Sequence, residues 1–222
     1  QAVPVELAVR RGAAGRTPRD RGRFPSSPQK TKFEPISQVF RLDWKQDRTF
    51  IYLVASRFLF LLATYAIGRF LLLFVAGRLG LDPGEAARLA GSVLAGLALI
   101  TVLASPLAGW AADRFGRIPL MVTGAVLSAL GVLLLLKASS PGAILLFGGL
   151  LSLGSAAYSS ANWAMTADIA PPEEAARFFG LANFGTAGAA AAAGLFGPLI
   201  DAANRASDGA GFPLLLVLAA LA

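Results

Sequence analysis

Six apolar stretches separated by helix breakers constrain this chain more than any other feature. They run about 50–75, 89–111, 118–137, 143–166, 178–200 and 212–222. A helix that crosses a bilayer needs roughly 20 mostly apolar residues, so the first five are long enough and the sixth has only begun. The breakers fall between them: Asp82-Pro83-Gly84, Arg114 to Arg117, Ser139-Ser140-Pro141-Gly142, Pro171-Pro172, and Asn204 to Gly211. Lipid offers no hydrogen bonds to exposed backbone, so the runs are predicted as helices and the chain as an all-α membrane protein. With 55% hydrophobic and 15% charged residues, the chain holds too much apolar surface for water to be its solvent.

Residues 1–48 differ in kind from the rest. They carry eleven bases against five acids, which is six of the net charge of +7. The segment from Gly15 to Lys32 is rich in Arg, Pro and Ser, the composition of a disordered linker. Basic runs can bind nucleic acid, but next to a membrane span the positive-inside rule accounts for this one, and no nucleic-acid partner is expected. The domain reading is therefore a basic cytoplasmic linker over 1–48 and a transmembrane domain over 49–222.

Placing residues 1–48 inside also places the second-to-third and fourth-to-fifth connections inside. Arg114, Arg117 and Arg177 then bring the inside bases to fourteen, against Arg78, Arg88, Arg205 and Lys137 outside. The expected location is a multi-pass one in a membrane, with residues 1–48 on the cytoplasmic side. The sequence opens on Gln1 and stops at Leu221-Ala222 within an apolar run, which the reading takes as a fragment with its last helix truncated.

There is no cysteine and no histidine, so thiolate metal sites and the commonest general base and metal ligand are missing. A lipid-headgroup enzyme needs clustered acids to hold metal, whereas Asp113 stands alone between its two flanking helices. The chain is read as no enzyme, with no cofactor.

Between the second and third runs the sequence reads Gly109-Trp110-Ala111-Ala112-Asp113-Arg114-Phe115-Gly116-Arg117-Ile118-Pro119. Gly109 lies one helical turn before Asp113 and would let a neighbouring helix approach. Asp113 could accept hydrogen bonds at another helix's positive N-terminus. Gly116 permits a tight turn, and Arg114 and Arg117 can pair with carboxylates on adjacent helix ends. This stretch resembles the signature loop G-x-x-x-D-R-x-G-R-[RK] of the major facilitator superfamily, departing from it at Ile118-Pro119.

A second stretch, Asn162 through Asp168 and Pro171-Pro172 to Arg177 and Gly180, resembles the loop after the fourth or tenth helix of that superfamily. It offers Asp168 as a partner for Arg114 or Arg117, and Arg177 for Asp113. Residues 44–81, with Ser56-Arg57-Phe58-Leu59 and the ending Leu79-Gly80-Leu81, look like the seventh helix of bacterial members. The resemblance spans about 41–222 and implies the C-terminal half of a secondary transporter, helices seven to twelve. It further implies a small-molecule substrate, alternating access, and a missing N-terminal six-helix half as partner. It leans toward the glycoside–cation symporter type, with drug efflux as the other possibility. A non-transporting scaffold or sensor on the same fold is the competing function.

In that superfamily the first and fourth helices of each half line the central cavity. The fourth run carries Ser155, Ser159, Asn162 and Thr166 within roughly 60° of one another at 100° per residue; interhelical hydrogen bonding is the other use of such a stripe. Gly148, Ser152, Ala156 and Ser160 form a second stripe suited to close packing, and the fifth run is rich in Gly and Ala. In the first run, Arg57 lies about two turns from the inside end, where snorkelling also explains it. Tyr65 and Arg69 are deeper and are the expected pathway residues. The third run, apolar on all sides from Leu120 to Leu136, is expected to face lipid. No Asp or Glu lies in the middle of any run, so a coupling site for H+ or Na+ is expected in the other half.

Overall fold

The computed structural model describes residues 47–206 and 211–221. The basic segment expected over 1–48 lies outside the described residues except at 47 and 48, as do 207–210 of the last connection. Every regular element among the described residues is helical: α1 (Arg48–Leu79), α2 (Pro83–Phe115), α3 (Arg117–Leu135), α4 (Pro141–Ile169), α5 (Ala175–Ala192), a 3-10 turn (Ala193–Leu195), α6 (Phe196–Ala206) and α7 (Gly211–Leu221). Through the 3-10 turn, α5 and α6 run on as a single apolar segment, Ala175–Ala206, giving five segments able to cross a membrane by length and composition; α7 is apolar but shorter.

Two helices start earlier than the apolar pattern suggested, because their breakers act as caps. Asp82 Oδ1 accepts from the backbone N–H of Gly84 at 2.8 Å and of Glu85 at 2.9 Å. Pro83 then stands first in α2, where its missing N–H has no partner to lose. Ser140 Oγ accepts from Ala143 N–H at 3.2 Å ahead of α4, again with proline first. Arg88, expected in a loop, is therefore in the second turn of α2.

At the other end of α2 a single residue separates two helices. Gly116 has φ 96° and ψ 154°, a left-handed region that only glycine enters without strain. The chain turns there and α3 begins at Arg117.

The helices hold together by close approach rather than by large side chains. A Cβ on Gly124 of α3 would lie 2.6 Å from Tyr158 N and 2.7 Å from Gly154 O of α4. One on Gly131 would lie 2.6 Å from Leu151 N, and one on Gly154 would lie 2.5 Å from Gly124 O. Small residues that let backbones touch replace the hydrophobic effect, which is weak between helices in lipid. The expectation for the third run is thus half right. Ile118, Val122, Val126 and Leu130 make an exposed apolar stripe at four-residue spacing, while the glycine face is sealed against α4.

On its other side α4 meets α2. A Cβ on Gly148 would lie 3.0 Å from Leu97, and Ser160 Oγ donates to Ser105 O at 3.4 Å. The Gly- and Ala-rich α5 lies along α1: a Cβ on Gly185 would lie 3.1 Å from Val54, and Ala189 and Ala193 are fully buried. The largest apolar cluster gathers Leu71, Phe74 and Val75 of α1 with Val132, Leu135 and Ile144, at the end of the bundle where α1 finishes. There Arg78 donates to Ala138 O at 2.9 Å and to Leu136 O at 2.7 Å, closing the carbonyls that α3 leaves open.

Candidate functional site

Two polar groupings stand out. The first lies where α2 ends, α3 begins and α4 ends. Arg117, the first residue of α3, pairs with Asp113 one turn back on α2, and its Nε donates to Asp168 Oδ2 at 3.1 Å. The Gly116 turn brings this about, since it swings the start of α3 back beside the last turn of α2. One guanidinium thereby joins three helix ends. The pairing is exposed, with 71% of the Asp113 side chain and 57% of the Asp168 side chain open, and pairs so open to solvent add little to stability.

The rest of the signature stretch is arranged differently from its expected roles. Arg114 pairs with no carboxylate among the described residues; its guanidinium lies 5.7 Å from the Trp110 ring centroid instead. Trp110 in turn meets Phe115 edge to face at 6.1 Å. A Cβ on Gly109 would meet open space, so no described helix uses it for close approach. Asp113 caps no helix among the described residues: α3 begins at Arg117, after Gly116, without a side-chain cap. Arg177, expected opposite Asp113, pairs with Glu174 of its own turn.

The second grouping lies inside the bundle between α1, α4 and α5. Arg57 is only 5% exposed. Its Nε donates to Thr186 Oγ1 at 2.9 Å and its Nη1 to Asn162 Oδ1 at 2.7 Å. The guanidinium carbon sits 3.8 Å from the Trp163 ring centroid, and Trp163 is itself stacked on Phe179 at 5.7 Å. Small residues on α5 let this happen: Gly185 and Gly188 stand against Val54 and Phe58, drawing α5 close enough for Thr186 to reach the arginine. Beside it Tyr158 donates to Ser56 Oγ at 3.1 Å and stacks on Phe60 at 3.9 Å.

The energetics of this cluster are one-sided. Neutral oxygens engage Nε and Nη1 of Arg57 but do not cancel its charge, and removing an ion from water costs several kcal/mol unless a counter-charge returns it. The ion pairs of Arg117 and Arg177 lie at helix ends, and none of them reaches Arg57. Asn162 adds a second debt. A guanidinium has donors only, so Asn162 must turn its oxygen to Arg57, which sends Nδ2 the other way. Nδ2 is buried with no hydrogen bond of good geometry; the Tyr158 hydroxyl is near enough to interact but not to satisfy it, and a poorly satisfied buried donor is destabilising.

The structure separates the other pathway candidates from this cluster. Arg69 is twelve residues beyond Arg57 on α1, about 18 Å at 1.5 Å per residue. It is exposed, and its Nη1 would lie 2.8 Å from a Cβ on Gly194, in the 3-10 turn. Tyr65 is exposed on the same helix. Ser155 lines a cavity of about 250 Å³ with Thr64, Thr101 and Ser152, between α1, α2 and α4. Ser159 is half-buried. Of the polar stripe, Asn162 and Thr166 are fully buried, and Thr166 donates to Asn162 O at 2.9 Å. Sequence reasoning left Arg57 between snorkelling and a site role and did not single out Thr186 or Trp163 as its neighbours. The available signal was Trp163 directly after Asn162, an aromatic platform beside a polar side chain.

Among the described residues no group of three or more Asp or Glu could hold a metal ion. A search of curated proteins finds no match to this chain. The family model of the Major Facilitator Superfamily matches residues 49–222, well over half of the sequence and all of its apolar segments. The chain belongs to the Major Facilitator Superfamily, a family of membrane transporters.

Proposed function

We propose that residues 49–222 are the C-terminal six-helix half of a secondary transporter, which moves a small solute by rocking against a complementary half that this chain does not contain. The observation that carries this reading is Arg117 held between Asp113 and Asp168 across a one-residue turn. An exposed ion cluster joining three helix ends can be made in one conformation and broken in another at small cost, as a gate requires. The charge distribution supports placing that end, with residues 1–48, in the cytoplasm of a bacterial cell. Coupling to H+ or Na+ would use carboxylates of the other half, since the interior of the described spans holds none.

Vesicle assays with the fragment and with the complete protein test this. The complete protein should accumulate or expel its solute saturably, and the fragment alone should move nothing. Saturable transport by the fragment defeats the half-transporter reading. Reporter fusions at 115 and 170 should report the cytoplasm and fusions at 81 and 139 the outside; a fusion at 115 reporting the outside reverses the orientation.

A further inference from the structure

Arg57 and Asn162 together present hydrogen-bond donors and a positive charge to which the described chain supplies no anion. Nε and Nη1 of Arg57 are engaged by neutral oxygens, and the Nδ2 amide of Asn162 is buried with no hydrogen bond of good geometry, only a loose approach to the Tyr158 hydroxyl. Two observations of different kind, an uncompensated charge and a poorly satisfied donor, therefore lie on side chains bonded to each other. Trp163 covers one face of the guanidinium at 3.8 Å, so a ligand meets the cation at its edge. Edge-on approach is how a carboxylate binds a guanidinium, with its oxygens in the plane of the fork. A single cation matches a singly charged group better than a phosphate dianion.

We propose that Arg57, with Asn162 Nδ2 beside it and Trp163 as its platform, is the binding subsite for the carboxylate of a small organic acid, which is the transported solute. This rests on the half-transporter reading. Arg57 supplies charge and the planar fork, Asn162 a neutral donor, and Thr186 holds the guanidinium in register through Nε. Trp163 excludes water from the face it covers, which strengthens the attraction in the low dielectric of the bundle.

The test uses the purified complete transporter. Its melting temperature and intrinsic fluorescence are followed with lactate, succinate, gluconate and citrate, and with lactamide, succinamide and glucose as neutral counterparts. At least one acid should stabilise the protein saturably while its neutral counterpart does not. Arg57→Gln should abolish that effect, Arg57→Lys should weaken it tenfold or more by losing the fork, and Asn162→Ala should weaken it about tenfold. The proposal is overturned if no acid binds, or if Arg57→Gln binds as tightly as the parent. It is also overturned if neutralising one carboxylate of the other half restores transport to Arg57→Gln, because the counter-ion is then a protein side chain. Transport of a neutral solute that tolerates Arg57→Gln removes this subsite and leaves the transporter reading standing. An acid that binds through Arg57 to a protein that carries nothing does the reverse.

Discussion

Arg57 Nη1 donates to Asn162 Oδ1 at 2.7 Å across 105 residues of chain, joining the first and fourth helices of the bundle through a charge and a neutral amide. Asparagine there, rather than aspartate, leaves the cation unneutralised.

The substitution Asn162→Asp closes that gap from within. A carboxylate at this distance would pair with the guanidinium, and a buried pair of good geometry is held more tightly than the neutral bond it replaces. The variant is expected to keep or raise its melting temperature while turnover falls at least tenfold. Measuring both on one preparation checks it; normal turnover would mean that the charge of Arg57 is not used.

At the gate the ordering of effects matters more than their size. Arg117 serves both carboxylates, whereas Asp113 and Asp168 each have one bond to it. Arg117→Ala should therefore slow turnover more than Asp113→Asn or Asp168→Asn, each by no more than about fivefold because exposed pairs are weak. Introduced cysteines at the cytoplasmic mouth should become more accessible in the same order. Equal turnover and accessibility in all three would reduce the cluster to an anchor for topology.

Arg69→Ala is the control for the binding subsite. Its guanidinium is about 18 Å further along α1 and exposed against the 3-10 turn, so solute affinity should change less than threefold, while Arg57→Ala loses it. A larger loss at Arg69 would move the pathway to where the sequence first suggested.

Gly154→Ala places a methyl group 2.5 Å from Gly124 O and 2.6 Å from Ser128 N. Backbone cannot yield as a side-chain end can, so overpacking should cost about 1–3 kcal/mol, a fall of roughly 2–10 °C in melting temperature. Gly109→Ala, whose Cβ meets open space, should leave the melting temperature of the fragment unchanged. Thermal unfolding of the two variants in one detergent compares them directly.

The spans were legible because the bilayer imposes a length and an apolar composition that few other demands imitate. Their boundaries were less so: Asp82-Pro83 and Ser140-Pro141 read as breaks in apolar character, yet cap helices that begin on the prolines. The Asp113–Arg117 spacing pointed to a cluster at one mouth, but partner choice depends on how helix ends are rotated, and that is a tertiary quantity. Hence Arg177 turned to Glu174 and Arg114 to Trp110. The surroundings of Arg57 were hidden for a related reason. Depth along a helix says how far a side chain must snorkel, but not whether Trp163 and Thr186 from other helices stand around it.

The glycine contacts between α3 and α4 bear on which parts of the bundle have freedom to deform. With backbone against backbone at Gly124, Gly131 and Gly154 there is no layer of side chains to shear, so the pair behaves as one stiff plank. Flexure has to be found elsewhere, at the Gly116 joint or at the 3-10 turn Ala193–Leu195, where the α-helical ladder is already interrupted. A covalent tether between α3 and α4 would then be silent, and one spanning the 3-10 turn would freeze the molecule.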